Sequence, residues 1–202
     1  MYDASFRPST RLDATGQRLT KGATTMPEII EVKIPIEMIA TARLYSDEMG
    51  IIKNSIMQGG GNIYGFLGEL LVGQLFNVRL KHSYDFDIEL PNGDTIDVKT
   101  KKTGWTPKPE YDCTVSALNI KQRCTYYVFT RIKSDMSIGW LLGYLPKKEY
   151  FDVAQFIKKG ELDPSNNFTA KTDMYNVKIS QLRDIKELSV SSNNTLDKTG
   201  IP

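Results

Sequence analysis

The sequence predicts an α/β domain, and three stretches predict it. Residues 84–102 alternate apolar and polar side chains on either side of Pro91-Asn92-Gly93, the pattern of a β-hairpin. Residues 63–76 carry Phe66, Leu67, Leu70, Leu71 and Leu75, a helix apolar enough to belong to a core. Residues 125–132 and 138–145 are dense in β-branched and aromatic side chains and read as strands.

Taken in order, residues 1–26 are poor in large apolar side chains and read as a flexible N-terminal arm. Arg7, Arg11, Arg18 and Lys21 could reach a phosphate backbone from it, although a solvated tail is the plainer reading. Residues 27–188 form the domain. Residues 28–34 suit a strand; Pro35 then opens a helix to about Met49, with Ile36, Ile39, Leu44 and Met49 as a partial apolar stripe, and Gly50 stops it. Gly59-Gly60-Gly61 is read as a joint, because no Walker lysine follows to make it a phosphate cradle. In the helix that follows, Gly65, Gly68 and Gly73 each cost about 1 kcal/mol of helix propensity. They permit close packing and a clear path for Glu69, a carboxylate among apolar neighbours that calls for a partner.

The hairpin comes next. A three-residue loop closed by Leu90 and Asp94 sets Ile88 opposite Ile96 and Asp87 opposite Asp97, with Lys99 opposite Asp85. A two-residue loop would set Ile88 against Asp97 and mix the faces, which a half-buried sheet resists. Two carboxylates about 5 Å apart repel by roughly 3 kcal/mol at an effective dielectric near 20. A solvated face has no need of that arrangement. A hard cation such as Mg²⁺ would offset it, and Lys99 is the second available counter-charge.

Beyond the hairpin, residues 101–109 read as a loop in which Lys101, Lys102 and Lys108 accompany Trp105, suited to a nucleic-acid backbone and a stacked base or sugar. Residues 111–117 suggest a short strand, 147–153 a helix after Pro146, 155–159 and 175–179 edge strands, and 180–183 a last helical turn. Tyr126 and Tyr127 read as packing residues, and Lys147-Lys148 and Lys158-Lys159 as solvated doublets. Residues 189–202 read as a flexible C-terminal tail.

Composition narrows the function classes. A chain of 202 residues with 40% hydrophobic and 25% charged content suits one well-filled core. A net charge of +2 and a pI near 8.4 require any basic surface to be local. Cys113 and Cys124 lack metal-type spacing and suggest reduced thiols in a cytoplasm. No apolar run nears the roughly 20 residues of a membrane span, and no signal-peptide core opens the chain. A single histidine, His82, excludes a catalytic triad or a histidine-based zinc site.

Helical Glu69, then Asp87, a hairpin, and Asp97-Val98-Lys99 on the next strand resemble the PD-(D/E)XK nuclease superfamily, the restriction-endonuclease-like fold. The motif spans residues 65–99, from Gly-Phe-Leu-Gly-Glu69 to Lys99. The Asp-to-Asp spacing and Pro-Asn-Gly turn are similar to those of phage junction-resolving endonucleases, and the order of elements over 28–188 to small nucleases encoded by tailed phages. Phe86 stands where the motif has proline, and Asp97 where glutamate is commoner.

The resemblance implies a mixed central β-sheet flanked by helices and a metal-dependent DNA endonuclease of phage-type DNA processing, working in the host cytoplasm. It further implies that Asp87, Asp97 and the Val98 carbonyl hold Mg²⁺, with Mn²⁺ able to substitute. Glu69 would bind a second metal or position Lys99. Lys99 would orient or deprotonate the attacking water, and cleavage would leave a 5′-phosphate. Asp85 is the runner-up for the place of Asp87. DNA is the implied partner, and dimerisation stays open. Two other readings remain: a non-catalytic nucleic-acid-binding or assembly protein of nuclease-like fold, and a nuclease acting on RNA.

Overall fold

The computed structural model describes residues 26–49, 62–81, 83–164 and 167–188. The expected arm over 1–25, the Gly50 helix stop, the Gly59-Gly60-Gly61 joint, His82 and the 189–202 tail lie outside the described residues.

Strand β1 (Ile30–Lys33) leads through Pro35 into helix α1 (Ile36–Met49). The Met38 and Ile39 amides donate to the Pro35 carbonyl, so the proline sits just ahead of the first turn. Ala42 is buried, with Met38, Ile39 and Tyr45 packed against the same core. The stripe expected from Ile36, Leu44 and Met49 is exposed instead, because the packed face repeats through 38, 42 and 45. Helix α2 (Asn62–Phe76) buries Phe66, Leu67, Leu71 and Val72, whereas Leu75 is exposed.

After α2 come β2 (Ile88–Glu89), β3 (Thr95–Thr103), β4 (Asp112–Ser116), β5 (Tyr126–Lys133) and β6 (Ile138–Pro146). Helix α3 (Lys147–Val153), β7 (Gln155–Ile157), β8 (Leu162–Asp163), β9 (Phe168–Thr169) and β10 (Met174–Lys178) complete the described chain, with a 3₁₀ turn over Ile179–Gln181. The central sheet has the order β1-β6-β5-β3-β2. It is mixed: β3 runs parallel to β5 and every other neighbour is antiparallel. The fold is therefore mixed α/β, a mixed central sheet with helices. A smaller antiparallel sheet has the order β4-β10-β7, so the segment expected as an edge strand at 175–179 lies at its centre.

The central sheet divides two cores. Ile96 and Val98 of β3 and Val128 and Ile132 of β5 pack with α1 and α2. Tyr127 and Phe129 face the other way, into a cluster with Cys113, Val115, Tyr150 and Val177. Cover on both faces explains why β5 reads as a nearly continuous apolar run. Tyr150 ties the second layer together: its hydroxyl accepts from the Val115 amide (3.1 Å) and donates to the Tyr175 carbonyl (2.6 Å).

The hairpin keeps the predicted register. Ile88 pairs with Ile96, the Leu90 amide donates to Asp94 O (2.8 Å), and Gly93 takes a positive φ of 86°. Its first arm is far shorter than the expected 84–90. Phe86 packs into the second core while Ile88 and Leu90 enter the first, so strict alternation begins only at Ile88.

Candidate active site

The Asp87 amide still donates to Ile96 O (2.9 Å), but one residue further the ladder is replaced by a side chain. Asp87 Oδ2 accepts from the Val98 amide at 2.7 Å, where another strand's carbonyl would otherwise stand. This ends β2 and leaves β3 from Val98 onward without a strand neighbour on that side among the described residues. The chemistry gathers at this outer margin.

Asp97 and Lys99 project from β3 towards the second core, beside Tyr127 and Phe129 of β5. Asp97 is buried at 3% exposure, and Lys99 Nζ lies 2.6 Å from its Oδ2. That ion contact is the close company Oδ2 keeps, since the oxygen has no hydrogen bond. Lys99 Nζ also reaches Gln122 Oε1 (3.4 Å) and stands 5.8 Å from the Tyr127 ring centroid.

Glu69 arrives from the opposite layer. Gly68, the residue before it, has no room for a side chain: a Cβ there would collide with Thr100 Oγ1 and Thr130 Oγ1, which hydrogen-bond each other across β3 and β5 (2.9 Å). This close approach of α2 to the sheet brings Glu69 to the margin. Burial first, then the Asp97 charge, push the Glu69 carboxyl up to about 7, with Lys99 pulling the other way. Asp87 is likewise raised well above the usual carboxylate range, by burial, then Glu69, then Asp97. The Val98 amide and Lys99 oppose that shift.

The four residues singled out in the sequence thus act on one another electrostatically. Asp85 does not join them: β2 stops short of it, so Lys99 has no cross-strand partner there, and the Asp85 carboxylate accepts from the Arg123 amide (3.1 Å). Of the expected nucleic-acid contacts, Lys102, Trp105 and Lys108 are exposed, Trp105 at 78%, and Lys102 Nζ lies 5.1 Å from the Tyr64 ring centroid. Lys101 departs from expectation. Like Lys102 it belongs to β3, not to a loop, and its Nζ donates inward to Thr114 Oγ1 (2.6 Å) and Asp112 O (3.2 Å).

Gln122 escapes a reading of the sequence. It takes a hydrogen bond from Asn119 Nδ2 (2.8 Å), donates to Tyr84 O (2.8 Å), and its own backbone carbonyl is held by Lys147 Nζ. Lys147, expected to be solvated, therefore fixes the segment that orients Lys99. A glutamine in a polar loop gives no signal of such a role.

The carboxylates of Asp87, Asp97 and Glu69 are hard oxygen donors of the kind that suit Mg²⁺. Asp97 Oδ2 is buried without a hydrogen bond, and burial first, then mutual repulsion, raises its two neighbours. Among the described residues no set of three or more His, Cys, Asp or Glu side chains is arranged as a ready-made metal cage. Cys113 and Cys124 are free thiols, and no described helix is long and apolar enough to cross a membrane. No family model and no curated protein sequence matches the chain.

Proposed function

We propose that this protein is a divalent-metal-dependent DNA endonuclease of the restriction-endonuclease-like, PD-(D/E)XK kind, in phage-type DNA processing. One observation carries the reading. Three acids and one half-buried ammonium act on one another where β2 gives up the margin of β3.

Asp87 and Asp97, with the Val98 carbonyl and Glu69, would hold Mg²⁺ or Mn²⁺, which on binding supplies acidified water and charge neutralisation at the phosphate. Lys99 would orient the attacking water and steady charge on a non-bridging phosphate oxygen. Gln122 keeps the Lys99 ammonium on the margin. Exposed Lys102, Trp105 and Lys108 continue from the same strand and would track the nucleic-acid backbone.

A non-catalytic nucleic-acid-binding or assembly protein is favoured by a separate observation: Lys99 is already neutralised by Asp97, and no metal cage is preformed among the described residues. Plasmid nicking decides between them. Cutting should require Mg²⁺, stop with EDTA, and fall by about 100-fold or more in Lys99→Ala. DNA binding without cutting selects the non-catalytic reading, and cutting of RNA alone selects a ribonuclease. Undiminished cutting by Lys99→Ala removes the proposed mechanism.

A further inference from the structure

Further along the margin of β3 lies a cavity of about 240 Å³, lined among others by Gly65, Lys99, Lys101, Thr114 and Arg131. Lys101 and Arg131 are direct partners in the parallel β3–β5 register. Like charges on adjacent strands are ordinarily avoided, so a buried pair of cations needs an offset. Among the described residues the carboxylates facing them are shared with other groups. The Asp112 carboxylate is bound by Lys178 (2.6 Å), and it is the Asp112 backbone carbonyl that accepts from Lys101 (3.2 Å) and Arg131 Nη2 (3.0 Å). Asp163 accepts from Asn176 Nδ2 (2.9 Å). Among the described residues, Lys101, Arg131 and Lys178 thus face two carboxylates, Asp112 and Asp163, while the acids at the other end of the margin surround Lys99.

Arg131 supplies the second, independent mark. It is nine-tenths buried, at 9% exposure, and its Nε is buried with no hydrogen-bond partner. One side of the guanidinium rests on the Tyr111 ring, 5.0 Å from its centroid. Burial, and then the Arg131 charge, lower the Lys101 pKa. The Thr114 hydroxyl accepts from Lys101 and spends its own proton on Asn176 Oδ1 (2.5 Å), so it holds the ammonium in place. An unused guanidinium N–H beside that ammonium is a donor pair for an oxyanion.

We propose that this cavity is a phosphoryl-binding pocket, in which Lys101 and Arg131 receive a phosphate group of a nucleic-acid strand lying along β3. The choice of phosphate over a carboxylate rests on the nuclease reading of the neighbouring acids. Binding in the pocket itself requires no cleavage.

The test uses the full chain in EDTA, with inorganic phosphate as probe at constant ionic strength and backbone amide resonances as readout. Saturable shifts should appear at Thr114, Thr130 and Arg131, and Arg131→Gln and Lys101→Met should each weaken them by about tenfold. Lys101→Met keeps the apolar stem on β3 and serves if Arg131→Gln does not fold. No saturable shift in the wild type, or wild-type affinity in both Lys101→Met and Arg131→Gln, overturns the proposal. Oligonucleotides with and without a 5′-phosphate then identify the source. Displacement of phosphate by the phosphorylated strand alone assigns a strand end, displacement by both assigns an internal phosphodiester, and displacement by neither overturns the pocket. Phosphate binding without Mg²⁺-dependent nicking would leave the pocket and remove the nuclease. Nicking without phosphate binding would do the reverse.

Discussion

Glu69 is an acid whose ionised form the fold resists. Its carboxyl titrates near 7 instead of 4.5, so the folded chain holds a proton that the unfolded chain has released. The sign follows from a folded pKa above the unfolded one: the stabilisation is complete below about 4.5 and is lost as pH rises through 7. Asp87 shifts in the same direction. Without divalent cations the protein should therefore gain on the order of 3 kcal/mol between pH 8 and pH 5. Thermal melts across that range check it, and a flat profile would show an unstrained carboxyl. Glu69→Gln should raise Tm by about 5 °C at pH 8 and flatten the profile. With Mg²⁺ present the same change should weaken metal binding or cleavage by about tenfold or more, and unchanged activity would take Glu69 out of the site. These acids are legible in the sequence because the turn residues fix a register and the register sets Asp87 against Asp97. Arg131 and Gln122 are not. A cation within an apolar strand and an amide in a loop acquire meaning only from neighbours far along the chain, Asp112 and Tyr111 for one, Lys99 and Tyr84 for the other.

At the scale of elements, α2 meets the sheet through a missing side chain. Gly68→Ala should destabilise the protein by about 1–3 kcal/mol, because the added methyl enters space held by two paired threonines. Gly65, three residues earlier, has open space where a Cβ would stand, with nothing within 4 Å. Gly65→Ala should therefore gain up to about 1 kcal/mol of helix propensity. Urea titrations of both variants provide the measurement, and equal effects would contradict the packing described. Three glycines in one helix signal close approach in the sequence, but not which of them makes it. The same limit governs the hairpin. Alternation through Phe86 is continuous in the sequence, and only the tertiary split between two cores shows that the strand starts at Ile88.

For the whole molecule, β5 and β6 matter most, since their two faces serve different cores. That is why these strands are the plainest to read, whereas the three-stranded sheet, built from segments of three to five residues, reads only as one short strand and two edges. Its strands are ordered by Tyr150 and by pairing distant in sequence, neither of which leaves a periodic trace. On the surface, Trp105 stands out with little packing of its own. Trp105→Ala should leave Tm unchanged and weaken DNA binding by about 1–3 kcal/mol, measured by fluorescence anisotropy at fixed salt. A loss of stability with intact binding would make it a folding residue.

The bare flank of β3 has a cost separate from any chemistry. A flank with no strand neighbour among the described residues invites a strand from another chain to add itself, which is how aggregation begins. Lys99, Lys101 and Lys102 stand along that flank, and lysine is a residue that discourages such addition. The margin proposed to take a ligand would thus be guarded against sister molecules by its own positive charge. Variants stripped of those lysines should be judged for solubility before they are judged for activity.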